Sequence, residues 1–395
     1  MRLGTLAATL LLSCGLAHAQ TETTPTRELV LYYYMAYDNN LERCGPPILD
    51  MLQKGVTTDD LAVVVSADFS DKGMHRYELT HGAERKETHL EEEGSAEEET
   101  LAAELAWLEQ HYPAKKYGIV FLNHGGGLGQ MSVDDAPREG GQRWLYPPEV
   151  SKVITAWRAQ VQAAQGEVEL VFYQQCGKGS IENYHCMRTA ARYVMGSQTV
   201  VGAPNYYYPK ALAHVAEHPE VDGKELAKQI TERETPNMFT TYSTFDSAQL
   251  DRLPEVLDRV LEPLLALETI VLPGLGRELP TCFDFGRQEL FFDGLALFKA
   301  LYEKNALDPA PIAELEAYHA ALITSHRVSP QQVSRAGTWC GYSLFFPVHP
   351  KLLERYADYP IYADTKLDEF FSEVFRQALA RRAEQGRRPE GGEQK

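Results

Sequence analysis

The sequence predicts an α/β protein in three layers, with a mostly parallel central sheet and helices on both of its faces. Short apolar runs rich in β-branched and aromatic residues alternate with amphipathic stretches along the first half of the chain. Two of these runs end in glycine-rich segments, one with a histidine and one with a cysteine. Because substrates bind beyond the carboxyl ends of parallel strands, these two segments predict the functional site.

An export signal is predicted over residues 1–19, so the mature protein is expected to be periplasmic or secreted. An apolar run over residues 3–12 precedes a small-x-small triplet at 17–19, the pattern of a signal peptidase site. The residues that end at Cys14 resemble a bacterial lipoprotein box, so anchoring through Cys14 is the alternative. The apolar run is too short for a transmembrane span, and no later run reaches that length. Residues 20–27 are expected to form a linker.

Composition excludes several classes of partner. The formal net charge is -18 at pH 7, whereas nucleic acids and anionic membranes bind basic surfaces. The acidic run at 89–100 lacks the alternating oxygen ligands of a calcium loop and is expected to be solvated. No pair of cysteines has the spacing of zinc ligands. We therefore expect neither a nucleic-acid partner nor a structural zinc ion.

A first domain is predicted over residues 28–221. Its expected strands lie at 29–36, 61–67, 117–122, 168–173 and 193–201, and its expected helices at 98–111, 148–164 and 181–191. Residues 128–147 contain two Asp, two Pro and adjacent glycines, and are expected to form an exposed loop. The tyrosine-rich segment 205–209 could form a wall of a binding cleft.

A C-terminal α+β subdomain, packed on the first domain, is predicted over residues 222–380. Its expected strands lie at 238–245 and 342–346, and its expected helices at 253–267, 289–304 and 311–326. Residues 381–395 are charged and are expected to form a fraying helix and a disordered tail.

Cys176 is the predicted nucleophile. It follows the strand at 168–173, and a helix that begins near Ser180 would direct its N-terminal N–H groups toward the thiol. Such a field favours the thiolate, which is the reactive form of cysteine. The alternative is a small buried hydrophobic residue without chemistry.

His124 is the predicted general base, because it follows the adjacent strand at 117–122. Glycines at 125–127 would let a substrate carbonyl approach the backbone, and the N–H groups of Gly125 and Cys176 could form an oxyanion hole. The alternative is a capping or core histidine. If the signal is removed, five cysteines remain, so at least one thiol is unpaired. Four of the five could pair in three ways, or all five could stay reduced.

Four segments resemble the clostripain-like cysteine peptidases, a family with the caspase and gingipain fold. They lie at 32–42, at 111–127, at 174–182, and in a later pair at 241–258 and 339–347. The resemblance implies a caspase-like fold, a thiol endopeptidase acting on peptide or protein substrates, and a catalytic dyad of His124 and Cys176. It also makes calcium binding an open question without naming ligands, while the cleavage chemistry needs no cofactor.

The chain departs from this family around the predicted substrate pocket. The family usually has Asp-Ala before the cysteine and acidic residues after the next strand. This chain has Gln174 and Gln175 before the cysteine, and Gln198 and Thr199 after the next strand. A glutamine gives a guanidinium no charge compensation, so Gln174 predicts a pocket for neutral side chains where the family prefers arginine or lysine.

Several alternatives stay open from the sequence. One of Asp134, Asp135 and Asp246 could restore an acidic pocket. The chain could be a weak or inactive pseudo-peptidase that acts as an exported binding protein, or it could transfer the acyl group to an amine. Family members are often cut between the histidine and cysteine segments, which here predicts a cut at Arg138 or Arg143.

Overall fold

The computed structural model describes residues 26–70, 72–90, 94–137, 140–331 and 339–386, with side chains described as far as residue 381. The predicted export signal, Cys14, Arg138, and most of the predicted linker and tail lie outside these residues. No helix in the described ranges is long and apolar enough to cross a membrane.

The described strands follow the chain order β1 (Arg27–Ala36), β2 (Leu61–Phe69), β3 (Gly73–Leu79), β4 (Lys86–His89), β5 (Ala114–Leu122), β6 (Met131–Asp134), β7 (Arg143–Leu145), β8 (Glu167–Gln174), β9 (Tyr193–Gly196), β10 (Thr241–Asp246), β11 (Thr281–Phe285), β12 (Glu289–Asp293), β13 (Ile323–Val328) and β14 (Ser343–Pro347).

The described helices are α1 (Gly45–Gly55), α2 (Glu98–His111), α3 (Pro147–Ala163), α4 (Ile181–Met187), α5 (Tyr208–Glu217), α6 (Gly223–Arg233), α7 (Ser247–Leu250), α8 (Leu253–Leu265), α9 (Gly294–Lys304), α10 (Ala310–Leu322), α11 (Pro350–Arg355), α12 (Pro360–Asp364) and α13 (Leu367–Gly386).

The central sheet has nine strands in the described part of the chain, in the order β13-β10-β9-β8-β5-β1-β2-β3-β4. Its five middle strands, β9, β8, β5, β1 and β2, pair in parallel. Antiparallel strands extend both edges: β10 and β13 on one side, and β3 and β4 on the other. The predicted α/β class with a parallel centre is confirmed.

Helices cover both faces of this sheet, because the side chains of each strand alternate between two cores. In β1, Tyr32 and Tyr34 belong to one core, with residues of α2, α3 and the C-terminal helices. Tyr33 and Met35 belong to the other core, with residues of α1, α5 and α6. The tyrosines at 32–34 therefore pack inside the protein. The sheet and the helices on its two faces form the three layers that the sequence predicts.

Strands β11, β12 and β14 form a separate antiparallel sheet. Strands β10 and β13 follow residue 221 in the chain but belong to the central sheet. The boundary at 221 stays a prediction.

The prediction of an exposed loop at 128–147 is wrong for most of its length. Strands β6 and β7 pair as a hairpin, and Leu128, Met131 and Val133 are buried. The carbonyl oxygen of Val133 accepts hydrogen bonds from the side chains of Asn39 and Asn123. These contacts hold the hairpin against the carboxyl edge of the central sheet, a packing that the local polarity of the segment does not indicate.

Several other elements are shorter in the structure than the sequence predicts. The helix expected at 289–304 begins only at Gly294, because residues 289–293 form β12 between β11 and β14. The helix expected at 311–326 ends at Leu322 and continues as β13. The strand expected at 193–201 ends at Gly196. In the first two cases, pairing with distant strands overrides the local helical pattern.

Candidate active site

Two loops at the carboxyl edge of the central sheet bring the predicted histidine and cysteine together. Strands β5 and β8 are parallel neighbours, and Leu122 pairs with Gln174 at their ends. His124 and Cys176 each follow two residues after this pair. A Cβ atom on Gly125 would overlap the carbonyl oxygen of Cys176, so residue 125 must be glycine for the loops to approach this closely.

The His124 ring is held by an asparagine from a third loop. Its Nε2 lies 2.7 Å from Oδ1 of Asn40, which follows β1, the other neighbour of β5. Because an amide oxygen only accepts hydrogen bonds, this contact places the proton on Nε2 and leaves the Nδ1 lone pair available. Burial lowers the pKa of His124, and the Asp135 carboxylate opposes this shift. The ring is therefore neutral at pH 7 and can accept a proton.

Sequence reasoning assigned no role to Asn40. Its position just beyond β1 could have indicated a role in the site, because the carboxyl ends of adjacent parallel strands meet at one edge of the sheet.

The Cys176 thiol is half-buried between the two strand ends. Its Sγ accepts the N–H of Val201 at 3.3 Å and lies 3.5 Å from the Val201 carbonyl oxygen. Burial raises the pKa of the thiol, although the Val201 N–H and the Lys178 charge act in the other direction. Helix α4 begins at Ile181 after the Ser180 cap, as its expected effect on the thiol requires. Desolvation of the thiol nevertheless outweighs the helix field that was expected to favour the thiolate.

Two backbone N–H groups remain available beside the thiol. Within the described residues, the N–H groups of Gly125 and Cys176 donate to no other residue, while the flanking Gly126 and Gly177 donate to Gln130 and Thr199. In the same described residues, no hydrogen bond joins the His124 ring to the Cys176 thiol. The arrangement offers an uncharged base, an uncharged thiol and two donors for a developing oxyanion.

Gln174 lies in a buried polar cluster below the thiol. Its Nε2 donates to Asn205 Oδ1 at 2.5 Å and to the Tyr208 hydroxyl at 2.8 Å, and its Oε1 accepts from Tyr207 at 2.7 Å. Both amide N–H groups are thus used inside the protein. Tyr206 is 48% exposed, whereas Tyr207 and Tyr208 are buried. The 205–209 segment therefore faces solvent only in part.

Carboxylates are scarce around Gln174. Asp246 pairs with Tyr193 at the start of β9, on the opposite edge of the sheet, so it cannot reach this cluster. Asp135 is exposed and acts on His124. Glu234 is 3% exposed and accepts the Tyr206 N–H at 3.1 Å, and its second oxygen is buried without a hydrogen bond in the described ranges. Burial raises the pKa of its carboxyl, with the Asn205 side chain opposing the shift.

The other glutamine substitutions are also internal. Gln175 is fully buried and donates to Ser132 Oγ at 2.7 Å. Gln198 is fully buried and donates to Asp293 at 3.1 Å and to the carbonyl oxygen of Tyr342 at 2.8 Å. Both amides therefore donate hydrogen bonds inside the protein, while Gln175 Oε1 is buried without a partner among the described residues.

A buried lysine fastens the two loops to each other. Lys178 Nζ donates to the carbonyl oxygens of Gly127 and Leu128. Glu289 of β12 accepts the Leu128 N–H at 2.7 Å. Burial lowers the pKa of Lys178 to about 7, with Glu289 opposing the shift. The histidine loop is thereby tied both to the cysteine loop and to the C-terminal sheet.

The described chain contains one cluster of side chains that could hold a metal ion, formed by Asp38, Asp68 and Asp134.

The described cysteines are all free: Cys44, Cys176, Cys186, Cys282 and Cys340. His326 contacts Ser243 Oγ at 2.9 Å and the carbonyl oxygen of Trp339 at 3.0 Å.

Comparison with known proteins identifies what the fold resembles. The family model of the clostripain family matches residues 33–283. An inactive zymogen of a C11 protease from Parabacteroides distasonis has 18% sequence identity and a TM-score of 0.65, covering 86% of this chain and 99% of that chain. A secreted C11 cysteine protease from Bacteroides thetaiotaomicron, iotapain, has 17% identity and a TM-score of 0.65, covering 87% of this chain and 100% of that chain. At these identities the two structures show a shared fold. No match was found among curated proteins.

Proposed function

Because the chain belongs to the clostripain family and is a cysteine peptidase, we propose that it hydrolyses internal peptide bonds through a dyad of His124 and Cys176. The observation that carries this proposal is the contact between the two loops at Gly125 and Cys176, with Asn40 orienting the histidine ring. Membership of the family supports the fold, whereas the proposed roles of these side chains rest on the geometry of the site.

Each step uses groups of the chain itself. Nδ1 of His124 takes the proton of the Cys176 thiol, and Sγ attacks the peptide carbonyl. The oxyanion is stabilised by the N–H groups of Gly125 and Cys176, which donate to no other residue in the described structure. The imidazolium then protonates the leaving amine, and neutral His124 activates the water that releases the acyl group. Cleavage needs no cofactor in this scheme.

Labelling with a peptidyl acyloxymethyl ketone tests the dyad directly. We expect stoichiometric modification of Cys176 at neutral pH, located by peptide mass mapping, and loss of labelling in His124→Ala. Cys282→Ser provides the control, since Cys282 is also only partly buried and free. Modification no faster than that of a free peptide thiol would contradict the proposal and favour a binding protein without turnover.

This alternative, an exported pseudo-peptidase, has one observation in its favour: burial raises the pKa of Cys176. A peptide ligand would then bind without being cleaved. Mass spectrometry of a bound peptide after incubation separates the two functions, because only a peptidase returns fragments.

The specificity pocket is proposed to accept a neutral or polar side chain before the scissile bond. Gln174 stands where the family pattern has aspartate, and its amide is engaged by Asn205, Tyr207 and Tyr208. Among the described residues, no carboxylate hydrogen-bonds to Gln174. An arginine substrate would therefore lack the paired carboxylate that a guanidinium needs when it is desolvated.

Export is proposed from the signal-like residues 1–19, which lie outside the described structure. Its sequence supports cleavage after residue 19. N-terminal sequencing of the mature protein from a bacterial host decides between this site and lipidation of Cys14. A mature chain that begins at Cys14 and carries fatty acids would contradict cleavage after residue 19.

A further inference from the structure

A half-buried aromatic surface lies beside the two glycine loops of the candidate site. Trp144 of β7 packs on the histidine loop, because a Cβ atom on Gly126 would lie 3.2 Å from the indole Cη2. Phe283 of β11 packs on the cysteine loop, since a Cβ atom on Gly177 would overlap its ring. Phe285 meets Trp144 edge to face, with ring centroids 6.1 Å apart. These three aromatic residues are here called the Trp144 shelf.

The shelf offers ring surface to a ligand. The indole N–H of Trp144 is already used, because it donates to Gln142 Oε1 at 3.1 Å. Phe283 and Phe285 point to one side of β11, since every second residue of a strand shares a face, and Asp284 between them is exposed. Aromatic rings bind apolar side chains, and pairs of rings gain further from edge-to-face or stacked contacts. The shelf therefore fits an apolar side chain, and an aromatic one best.

The shelf and the buried cluster around Gln174 lie on opposite faces of the central sheet. Tyr207 and Tyr208, which bind Gln174, belong to the core that includes residues of α1 and α5. Phe283 packs against the other core, which includes residues of α2 and α3. The two N–H groups of the proposed oxyanion hole stand at the carboxyl edge of the sheet, between these two faces. A peptide held by these N–H groups can reach both surfaces.

We propose that the Trp144 shelf binds an apolar or aromatic side chain of the substrate residue that follows the scissile bond. This inference rests on the proposed peptidase function, in which the residue before the bond lies at the Gln174 cluster. The chain after the bond then continues to the other side of the thiol, over Gly126 and Gly177. The substrate class is a protein segment with a neutral residue before the scissile bond and an apolar residue after it.

Binding of uncleaved peptides tests the shelf without requiring turnover. Two fluorescent peptides carry the same neutral residue before the central bond and differ only in the residue after it, phenylalanine or alanine. We expect Cys176→Ala to bind the phenylalanine peptide at least about tenfold more tightly, as measured by fluorescence anisotropy. Trp144→Ala in this background should weaken binding of the phenylalanine peptide alone. Trp144→Phe should keep most of the difference, because a ring remains.

Turnover by the wild type gives a second measurement with the same pair of peptides. We expect kcat/KM to be at least about tenfold higher for the phenylalanine peptide, with the cut before phenylalanine located by mass spectrometry. Trp107→Ala is the matched control, because it truncates a half-buried tryptophan near the end of α2 and should preserve the preference.

Equal binding of the two peptides, or equal weakening of both in Trp144→Ala, would overturn the inference while leaving the proposed function in place. A preference for the residue before the bond that disappears in Trp144→Ala would overturn it as well, because the shelf would then serve the other side of the thiol. Tighter binding of the phenylalanine peptide without cleavage by the wild type would support the shelf and contradict the proposed function.

Discussion

The thiol of Cys176 and the imidazole of His124 are both uncharged at pH 7. Burial raises the pKa of the thiol and lowers that of the ring. The resting pair thus differs from a stored thiolate-imidazolium pair, in which the nucleophile is ionised before the substrate arrives. In the proposed mechanism, proton transfer to Nδ1 must accompany or precede attack, so the rate is expected to depend on the position of His124.

The raised pKa of Cys176 predicts the pH dependence of its alkylation. Only the thiolate reacts, so the rate of iodoacetamide labelling should rise about tenfold per pH unit below the pKa, or about 100-fold from pH 6 to pH 8. Peptide mapping of Cys176 over this range measures it, with a free cysteine peptide as the reference. A rate that reaches a plateau below pH 7 would show that the thiol is ionised in the resting protein.

Removal of either member of the dyad should abolish peptidase activity without unfolding the protein. Cys176→Ala and His124→Ala truncate half-buried side chains on loops, so the free energy of unfolding should change by less than about 1.5 kcal/mol. Hydrolysis of a fluorogenic peptide and thermal unfolding measure the two effects. His349→Ala, on an exposed histidine, serves as the control. Activity that survives Cys176→Ala would refute the assigned nucleophile.

Asn40 should act as a positioning residue. Asn40→Ala removes the contact with Nε2 and should lower kcat by about 10- to 100-fold with little change in KM. Asn40→Asp keeps an acceptor but places a negative charge beside the ring, which raises the pKa of His124. Because the neutral ring is the base, the acidic limb of the pH–rate profile should move up by about one unit.

The pH shift distinguishes positioning from a purely structural role, which would change stability alone. Asn237→Ala, on an exposed asparagine, is the matched control and should keep the wild-type profile. If Asn40→Ala kept the wild-type kcat, the assigned tautomer of His124 would be wrong.

At the scale of elements, the segment at 205–208 and the end of β8 form a cluster of aromatic and amide side chains below the thiol, here called the aromatic wall. The Tyr207 and Tyr208 hydroxyls and the Asn205 amide bind Gln174 from one side. Tyr33 of β1 packs edge-on against Tyr208 from the other, with ring centroids 5.9 Å apart. A neutral amide is embedded in this aromatic wall, so the proposed specificity would depend on contacts among three distant segments.

The wall predicts weak cleavage after arginine. Loss of a buried charged partner typically costs about 3–5 kcal/mol, which corresponds to a two- to three-order-of-magnitude loss in kcat/KM for basic substrates. A fluorogenic peptide panel that varies only the residue before the scissile bond measures the preference. Gln174→Asp should raise kcat/KM for the arginine peptide relative to Gln174→Asn, because these variants share a side-chain length and differ in charge.

A strong arginine preference in the wild type would contradict the neutral pocket. Glu234→Gln then identifies the source of the charge, because Glu234 is the buried carboxylate that contacts Tyr206 in this wall. Loss of the arginine preference in that variant would assign the pocket charge to Glu234.

At the scale of the whole molecule, the C-terminal sheet braces the loops that carry His124 and Cys176. The Ser343 N–H donates to the carbonyl oxygen of Gly179 at 2.9 Å, and the Phe345 N–H donates to Glu182 at 2.9 Å. Glu289 binds the histidine loop from the same sheet. The candidate site is therefore built from both halves of the chain.

The hairpin between the two site segments limits where the chain can be cut. Asp135, Ala136 and residues 140–142 are exposed. Arg143 is paired in β7 and bound to Glu97 at 2.7 Å, so we expect a cut in the turn rather than at Arg143. Intact-mass analysis should show two fragments for the wild type and one chain for Cys176→Ala. A fully active, uncut wild-type chain would show that cleavage is unnecessary, and self-cleavage after Arg138 would contradict the neutral pocket.

The sequence by itself determined the layered α/β class and the place of the candidate site. Buried parallel strands can be recognised from the local sequence as continuous apolar runs, such as 117–122 and 168–173. The carboxyl ends of these strands must meet at one edge of the sheet. His124 and Cys176 were predicted to lie together for this reason, and the structure places their loops in contact. The family motif at these same positions led to the same two residues.

Only the tertiary structure decided what surrounds that pair. The contact of Asn40 with His124, the partners of Gln174 and the meeting of Asp38, Asp68 and Asp134 each join residues from different loops. Desolvation likewise depends on every neighbour, so burial could outweigh the helix that was expected to favour the thiolate. Local pattern specifies the buried parallel strands at the centre of the sheet, whereas charge and pocket chemistry depend on contacts between segments that the chain brings together only on folding.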